Sequence, residues 1–129
     1  MTVRIKRVYE QAVRADGLRV LVDRIWPRGI SRYDVKLNQW LKEVAPSTDL
    51  RRWFGHKPER WKEFQRRYRA ELKTNPALEE LHTLSRQGLL TLLYAARDTE
   101  HNHALVLQSL LSQLPRRKRP PTSARSKTR

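Results

Sequence analysis

Apolar positions recur along this chain with two different periods. Residues Thr2 to Tyr9 alternate, with Val3, Ile5, Arg7 and Tyr9 to one side and Arg4, Lys6 and Val8 to the other, the pattern of a partly exposed strand. Asp16-Gly17 marks a turn. Leu18 to Trp26 then forms a run rich in β-branched, leucine and aromatic residues, ended by Pro27 and Gly29, which predicts a buried strand. Leu89 to Ala95 is a second such run between Gly88 and the polar Arg97-Asp98-Thr99. It is too short for a buried helix and reads as a central strand.

The other period is helical. Trp61, Phe64, Tyr68 and Leu72 return every three or four residues after Pro58-Glu59-Arg60, which predicts a helix with an aromatic inner stripe and a charged outer face. Asn75-Pro76 opens another helix, with Leu78, Leu81 and Leu84 inward and Gly88 as its stop. A short helical turn is expected after Ser31 and a short helix from Ser47 or Thr48 to Gly55. A last helix is expected from about Thr99 to Leu114. Leu37 to Val44 fits either period, and Pro46 tips the reading toward an extended piece.

Past Leu114 the pattern stops. Pro115 to Arg129 has no large apolar side chain, three prolines and seven Lys or Arg, so burial cannot offset its chain entropy and a disordered basic tail is expected. The predicted fold is α/β: a single compact domain over residues 1–114, a small mostly parallel sheet flanked by helices, followed by the cationic tail at 115–129.

Charge and composition then narrow the function classes. The formal net charge is +15, and without the tail the remaining residues still carry 21 basic against 13 acidic side chains. Body and tail are both cationic, a field that attracts nucleic acid, nucleotides and other polyanions without choosing among them. The chain has no cysteine, which removes thiolate nucleophiles, disulfides and Cys-based zinc sites. No apolar run is long enough to cross a bilayer and no signal segment opens the chain, so a cytoplasmic protein without a membrane partner is expected. The four glycines are too scattered for a phosphate loop or a dinucleotide-binding fingerprint.

Ligands of α/β domains sit beyond the carboxyl ends of the strands, and two segments have that address. The first, Asp23-Arg24-Ile25-Trp26-Pro27-Arg28-Gly29, ends one strand in two arginines and an aromatic wall. The second, Tyr94 to His103, runs the other strand into a helix start. Arg24, Arg28 and Arg97 could form a cationic fork for a phosphate, sulfate or carboxylate, aided by the free N–H groups of the last helix. His101, oriented by Asp98 or Asn102, could serve as proton donor or acceptor. Against this stands a structural reading in which Asp23 pairs with Arg24 or Arg97, Asp98 caps the helix, and His101 and His103 are solvated. His101-x-His103 with Asp98 and His56 could supply metal ligands, but residues two apart at a helix start point in different directions, so no metal is expected. Trp26 is the best placed of the four tryptophans to stack on a base, although core packing accounts for most tryptophans.

Four motifs in order carry a resemblance: D-R-I-W-P-R-G at Asp23 to Gly29, W-L-K-E-V-A-P-S at Trp40 to Ser47, L-R-R-W-F-G-H at Leu50 to His56, and Y-A-A-R-D-x-x-H-N-x-A at Tyr94 to Ala104. Over nearly all of residues 1–114 the chain resembles the YeaO-like branch of the domain-of-unknown-function 488 family, and the tail lies outside the match. The resemblance implies a compact α/β domain and no established activity or cofactor. It also implies a pocket lined by Arg24, Trp26, Pro27, Arg28, Gly29, Lys42, Ser47, Trp53, His56, Arg97, Asp98, His101 and Asn102, with Pro27, Gly29 and Trp53 serving architecture. The broader family carries Cys-x-Glu and Cys-His-Arg elements where this chain has Ala95, Arg97 and the His101 region, which argues against thiol chemistry here. The functional expectation is a binding or catalytic domain for a small anionic, phosphate- or nucleotide-like ligand. The alternative is a nucleic-acid-associated protein that uses its basic surface and tail without a helix-turn-helix.

Overall fold

The computed structural model describes residues 3–117. Four strands, β1 (Val3–Arg7), β2 (Leu18–Leu21), β3 (Gln39–Trp40) and β4 (Leu90–Tyr94), form one sheet of order β1-β4-β2-β3 in which every neighbouring pair is parallel. The helices are α1 (Arg32–Val35), α2 (Thr48–Phe54), α3 (Trp61–Lys73), α4 (Pro76–Arg86) and α5 (His103–Arg117), with 3-10 turns at Arg14–Asp16, Lys42–Val44 and Pro58–Arg60. The expected small α/β domain is thus present, and its sheet is wholly parallel. Among the described residues no helix is long and apolar enough to cross a membrane.

Register explains the two faces. Val3, Leu90 and Leu18 align, as do Ile5, Leu92 and Val20, and these side chains meet α2 to α5 in the larger core around Phe64, Tyr68, Leu81 and Leu107. The Tyr68 hydroxyl reaches the Val44 carbonyl at 2.6 Å, and burial pushes its phenol well up in pKa, so it stays a protonated donor. On the opposite face Leu21, Leu93, Val8 and Val35 make a smaller core that only α1 and the segments around it cover, with Trp26 and Trp40 packed against it. The two indoles lie edge to face with centroids 5.3 Å apart.

That second face also buries charge. Asp16, whose side chain is 4% exposed, lies 2.5 Å from Arg19 and 3.1 Å from Lys6, and its carboxylate accepts the Val13 N–H. Arg19 in turn donates to the carbonyls of Val35 and Lys36. Burial works to raise the pKa of Asp16, but the Val13 N–H, Lys6 and Arg19 outweigh it and hold the carboxyl below its usual value. Gly17 follows at φ +66°, and a Cβ there would run into the backbone carbonyl of Leu89.

Three sequence expectations are corrected. The strand read over Leu18 to Trp26 ends at Leu21. The ladder adds one bond, Val22 N–H to the Leu93 carbonyl, and the chain then turns away, leaving Ile25 65% exposed. The extended piece within Leu37 to Val44 exists as β3, but only for two residues before the 3-10 turn at Lys42–Val44. The last helix starts at His103 instead of Thr99, because Asp98 closes a separate turn by accepting the Glu100 and His101 N–H groups. It runs through Arg117, three residues beyond the expected boundary at Leu114. The rest of the predicted tail lies outside the described residues.

Candidate functional site

β4 enters the sheet between β1 and β2, so the connections on its two sides diverge beyond the strand ends and leave a crevice there. A cavity of about 410 Å³ occupies it. Asp23, Arg24 and Ile25 come from the segment after β2, and Ala95 and Ala96 from the end of β4. Arg51, Arg52 and Phe54 come from α2, His56 from the turn after it, Phe64 from α3, and His101, Asn102 and His103 from the start of α5. Ala45 and Pro46, ahead of α2, complete the wall. The floor is apolar and the rim carries arginine and histidine.

Arg24 is held in place by main-chain carbonyls. Its Nη2 donates to Ala45 at 3.1 Å and its Nε to Pro46 at 3.4 Å. Arg51 reaches the Thr48 hydroxyl at 3.4 Å, while its buried Nε has no hydrogen-bond partner. Among the described residues none of Arg24, Arg51 and Arg52 is ion-paired with a carboxylate. Ser47 caps α2 by accepting the Leu50 N–H, and Glu71 fixes the cap by accepting from both the Ser47 amide and its hydroxyl. The helix bearing the two arginines is therefore anchored at its start to α3.

The histidines divide by partner. His101 Nδ1 lies 2.8 Å from Asp98 Oδ2; since a carboxylate only accepts, Nδ1 carries the proton and Nε2 is the ring's acceptor nitrogen. The Glu100 N–H and then His101 hold the Asp98 carboxyl below its ordinary pKa. Trp61 meets the His101 ring edge to face at 5.5 Å. His103 Nε2 lies 3.0 Å from the Val22 carbonyl and 3.2 Å from Asp23 Oδ1. A carbonyl also only accepts, so the proton sits on Nε2 and Nδ1 is the open nitrogen. Asp23 Oδ2 takes the Ala95 N–H, which ties the end of β2 to the end of β4.

The sequence-derived residues distribute unevenly over this geometry. Arg24, His56, His101 and Asn102 line the cavity. Asp98 stands behind His101. Asn102 is buried and caps α5 through the Leu105 N–H, so this amide at the helix start is already satisfied. Arg28, Gly29, Lys42 and Arg97 are exposed and Trp26 half-buried, and none of the five lines the cavity. Arg28 is fastened elsewhere by its carbonyl, which accepts from Tyr9; Lys42 lies over Trp40, and Arg32 covers Trp26. Trp53 stands between the guanidiniums of Arg60 and Arg67. The fork of Arg24, Arg28 and Arg97 is not assembled; Arg24 is joined instead by Arg51 and Arg52. Nor, among the described residues, does Asp23 pair with an arginine: its ion-pair partner is His103. Both arginines of α2 sat in the L-R-R-W-F-G-H motif, but nothing local in that motif says that α2 crosses the strand ends. Among the described residues no group of three or more His, Asp or Glu is arranged to hold a metal ion.

A family model described as the inactive DUF488-N3 subclade matches residues 2–128. The chain belongs to the DUF488 family. The match continues past Leu114, where the resemblance read from the motifs stopped. Over 110 residues the chain is 48% identical to the uncharacterized protein Rv3073c of Mycobacterium tuberculosis, covering 85% of this chain and 93% of the relative. Over 115 residues it is 44% identical to the uncharacterized protein YeaO of Escherichia coli, covering 88% of this chain and all of the relative. No solved structure matches.

Proposed function

We propose that this DUF488 domain binds a small anionic ligand, phosphate-bearing or nucleotide-like, in the cavity at the carboxyl ends of β2 and β4. The observation that carries the reading is the set of three guanidiniums among the residues lining the cavity, none of them ion-paired with a carboxylate among the described residues, one with a buried N–H left unsatisfied. Buried donors without partners are rare in folded proteins and mark places where water or an ion completes the structure. Arg24 is pre-oriented by two carbonyls, which reduces the ordering cost of closing on an oxyanion. The apolar floor of Phe54 and Phe64 favours a ligand with a nonpolar or aromatic part beside its anion.

His101 and Asp98 form the acid–base candidate of the site, with Nε2 the nitrogen available to a ligand. The subclade's description as inactive and the absence of cysteine favour binding over turnover, with His101 acting as a hydrogen-bonding group. Titration calorimetry with inorganic phosphate and with adenosine monophosphate tests the proposal. A lost charge-assisted hydrogen bond costs about 1.5–3 kcal/mol, so Arg24→Ala and Arg51→Ala should each weaken binding roughly 10- to 150-fold. Arg28→Ala, outside the cavity, should leave it unchanged. Equal affinity in wild type and both cavity variants, or no binding of either ligand by the wild type, overturns the proposal.

A further inference from the structure

α3 carries two faces with different partners. Trp61, Phe64, Tyr68 and Leu72 pack into the core, whereas Lys62, Arg66, Arg69 and Lys73 follow one another at steps of four, three and four residues. At 3.6 residues per turn those four positions share an arc of roughly 60° and span about 16 Å of helix, with no acidic residue inside the arc. Lys62, Arg66 and Lys73 are exposed, and Arg69 leans on Ser109 of α5 at 3.2 Å. Glu63, beside the stripe, is held ionised by hydrogen bonds from Arg66 and Arg67, with which it is ion-paired, so the three groups together keep one net positive charge.

We infer that this stripe is a docking surface for the sugar-phosphate backbone of a nucleic-acid duplex, read without regard to sequence. Four cations at nearly even steps along a rigid rod match a linear polyanion that presents a phosphate about every 3.4 Å per strand, so the stripe faces roughly five phosphates. Base recognition is disfavoured by the same surface. The large hydrophobic side chains most exposed among the described residues, Tyr9, Val13, Ile25 and Tyr33, all lie elsewhere, and Trp53 has guanidiniums on its ring. The surface is separate from the cavity, and its test is independent of the small-ligand proposal.

Fluorescence anisotropy of the full chain with a labelled mixed-sequence DNA duplex, over salt concentrations from about 50 to 200 mM, provides the test. Each phosphate contact contributes about 0.9 to the slope of log K against log salt, so Lys62→Gln/Lys73→Gln should lower the slope by about 1.8 and the affinity about 60-fold at 0.1 M salt. A charge-matched control, Arg14→Gln/Lys36→Gln on the other side of the sheet, should change neither. Thermal melts of both variants establish that they fold. A second arm replaces Lys118, Arg119, Arg125, Lys127 and Arg129 with Gln, and the remaining binding should still respond to the α3 pair. The inference falls if wild type does not bind the duplex or if the α3 variant and the control behave alike. It also falls if the Gln-substituted tail alone abolishes binding, or if vesicles containing phosphatidylserine bind more tightly than the duplex.

Discussion

Replacing Asp16 with Asn removes one negative charge from between two cations and changes almost nothing else. Asp16 is nearly fully buried, Arg19 has a side chain 6% exposed and Lys6 one 16% exposed, so neither cation regains full hydration when the carboxylate is neutralised. Breaking a buried pair by removing one partner costs about 3–5 kcal/mol. Arg19 keeps its bonds to the Val35 and Lys36 carbonyls and Lys6 its bond to the Gln11 carbonyl, which puts the loss at the lower end, about 3 kcal/mol. For a domain of this size, between the ranges where 1 kcal/mol moves Tm by about 4–8 °C and by about 2–4 °C, that is a fall in Tm of roughly 10–15 °C. Urea unfolding followed by tryptophan fluorescence reads the change as a lower midpoint at constant slope. pH separates the charge from the packing. Because the folded-state pKa of Asp16 is depressed, its contribution is present above the ordinary carboxyl pKa and is lost as pH falls through the folded value. The wild type should lose its advantage over Asp16→Asn on that acid limb. A loss below about 1 kcal/mol, or an advantage that persists under acid, would refute the reasoning.

Two further changes test the frame around the cavity. Tyr68→Phe leaves the Val44 carbonyl without its buried donor and should cost about 1–3 kcal/mol in urea unfolding. Gly17→Ala forces a Cβ against the Leu89 carbonyl at a left-handed φ, and should destabilise by more than the roughly 1 kcal/mol that a compatible Gly→Ala change can gain. A stabilised Gly17→Ala protein would contradict the close approach of that turn to β4.

How much was legible in the chain depends on how local each decision is. β1, α3 and α4 follow from period, because alternation and three-four spacing report directly which face is buried, and β4 follows from a short unbroken apolar run, buried on both faces. The end of β2 did not. Val22, Ile25 and Trp26 have strand-forming side chains around the charged Asp23 and Arg24, but whether the segment's amides find a ladder partner depends on β4 ending at Tyr94 and on Asp23 taking the Ala95 N–H across 72 residues. The site was half legible for the same reason. Arg24, His101 and Asn102 stand at chain positions just past a strand or just before a helix, and His56 came from the motif resemblance, whereas Arg51 and Arg52 become cavity residues only once Glu71 pins the start of α2. Arg28 shows the opposite error, since proximity in sequence to a strand end did not carry its side chain to the same side.

The place of β4 in the sheet has a temporal meaning. Both β1 and β2 take β4 as a neighbour, so the two strands made first have no lateral bond to each other and wait for a segment that begins at Leu90. A nascent chain must emerge almost whole before its sheet can close, and the central pairing spans most of the polypeptide, the kind of topology that folds slowly. Until then the early apolar strands are open to wrong partners, and a synonymous delay or chaperone that shelters them would act on yield without touching the finished molecule.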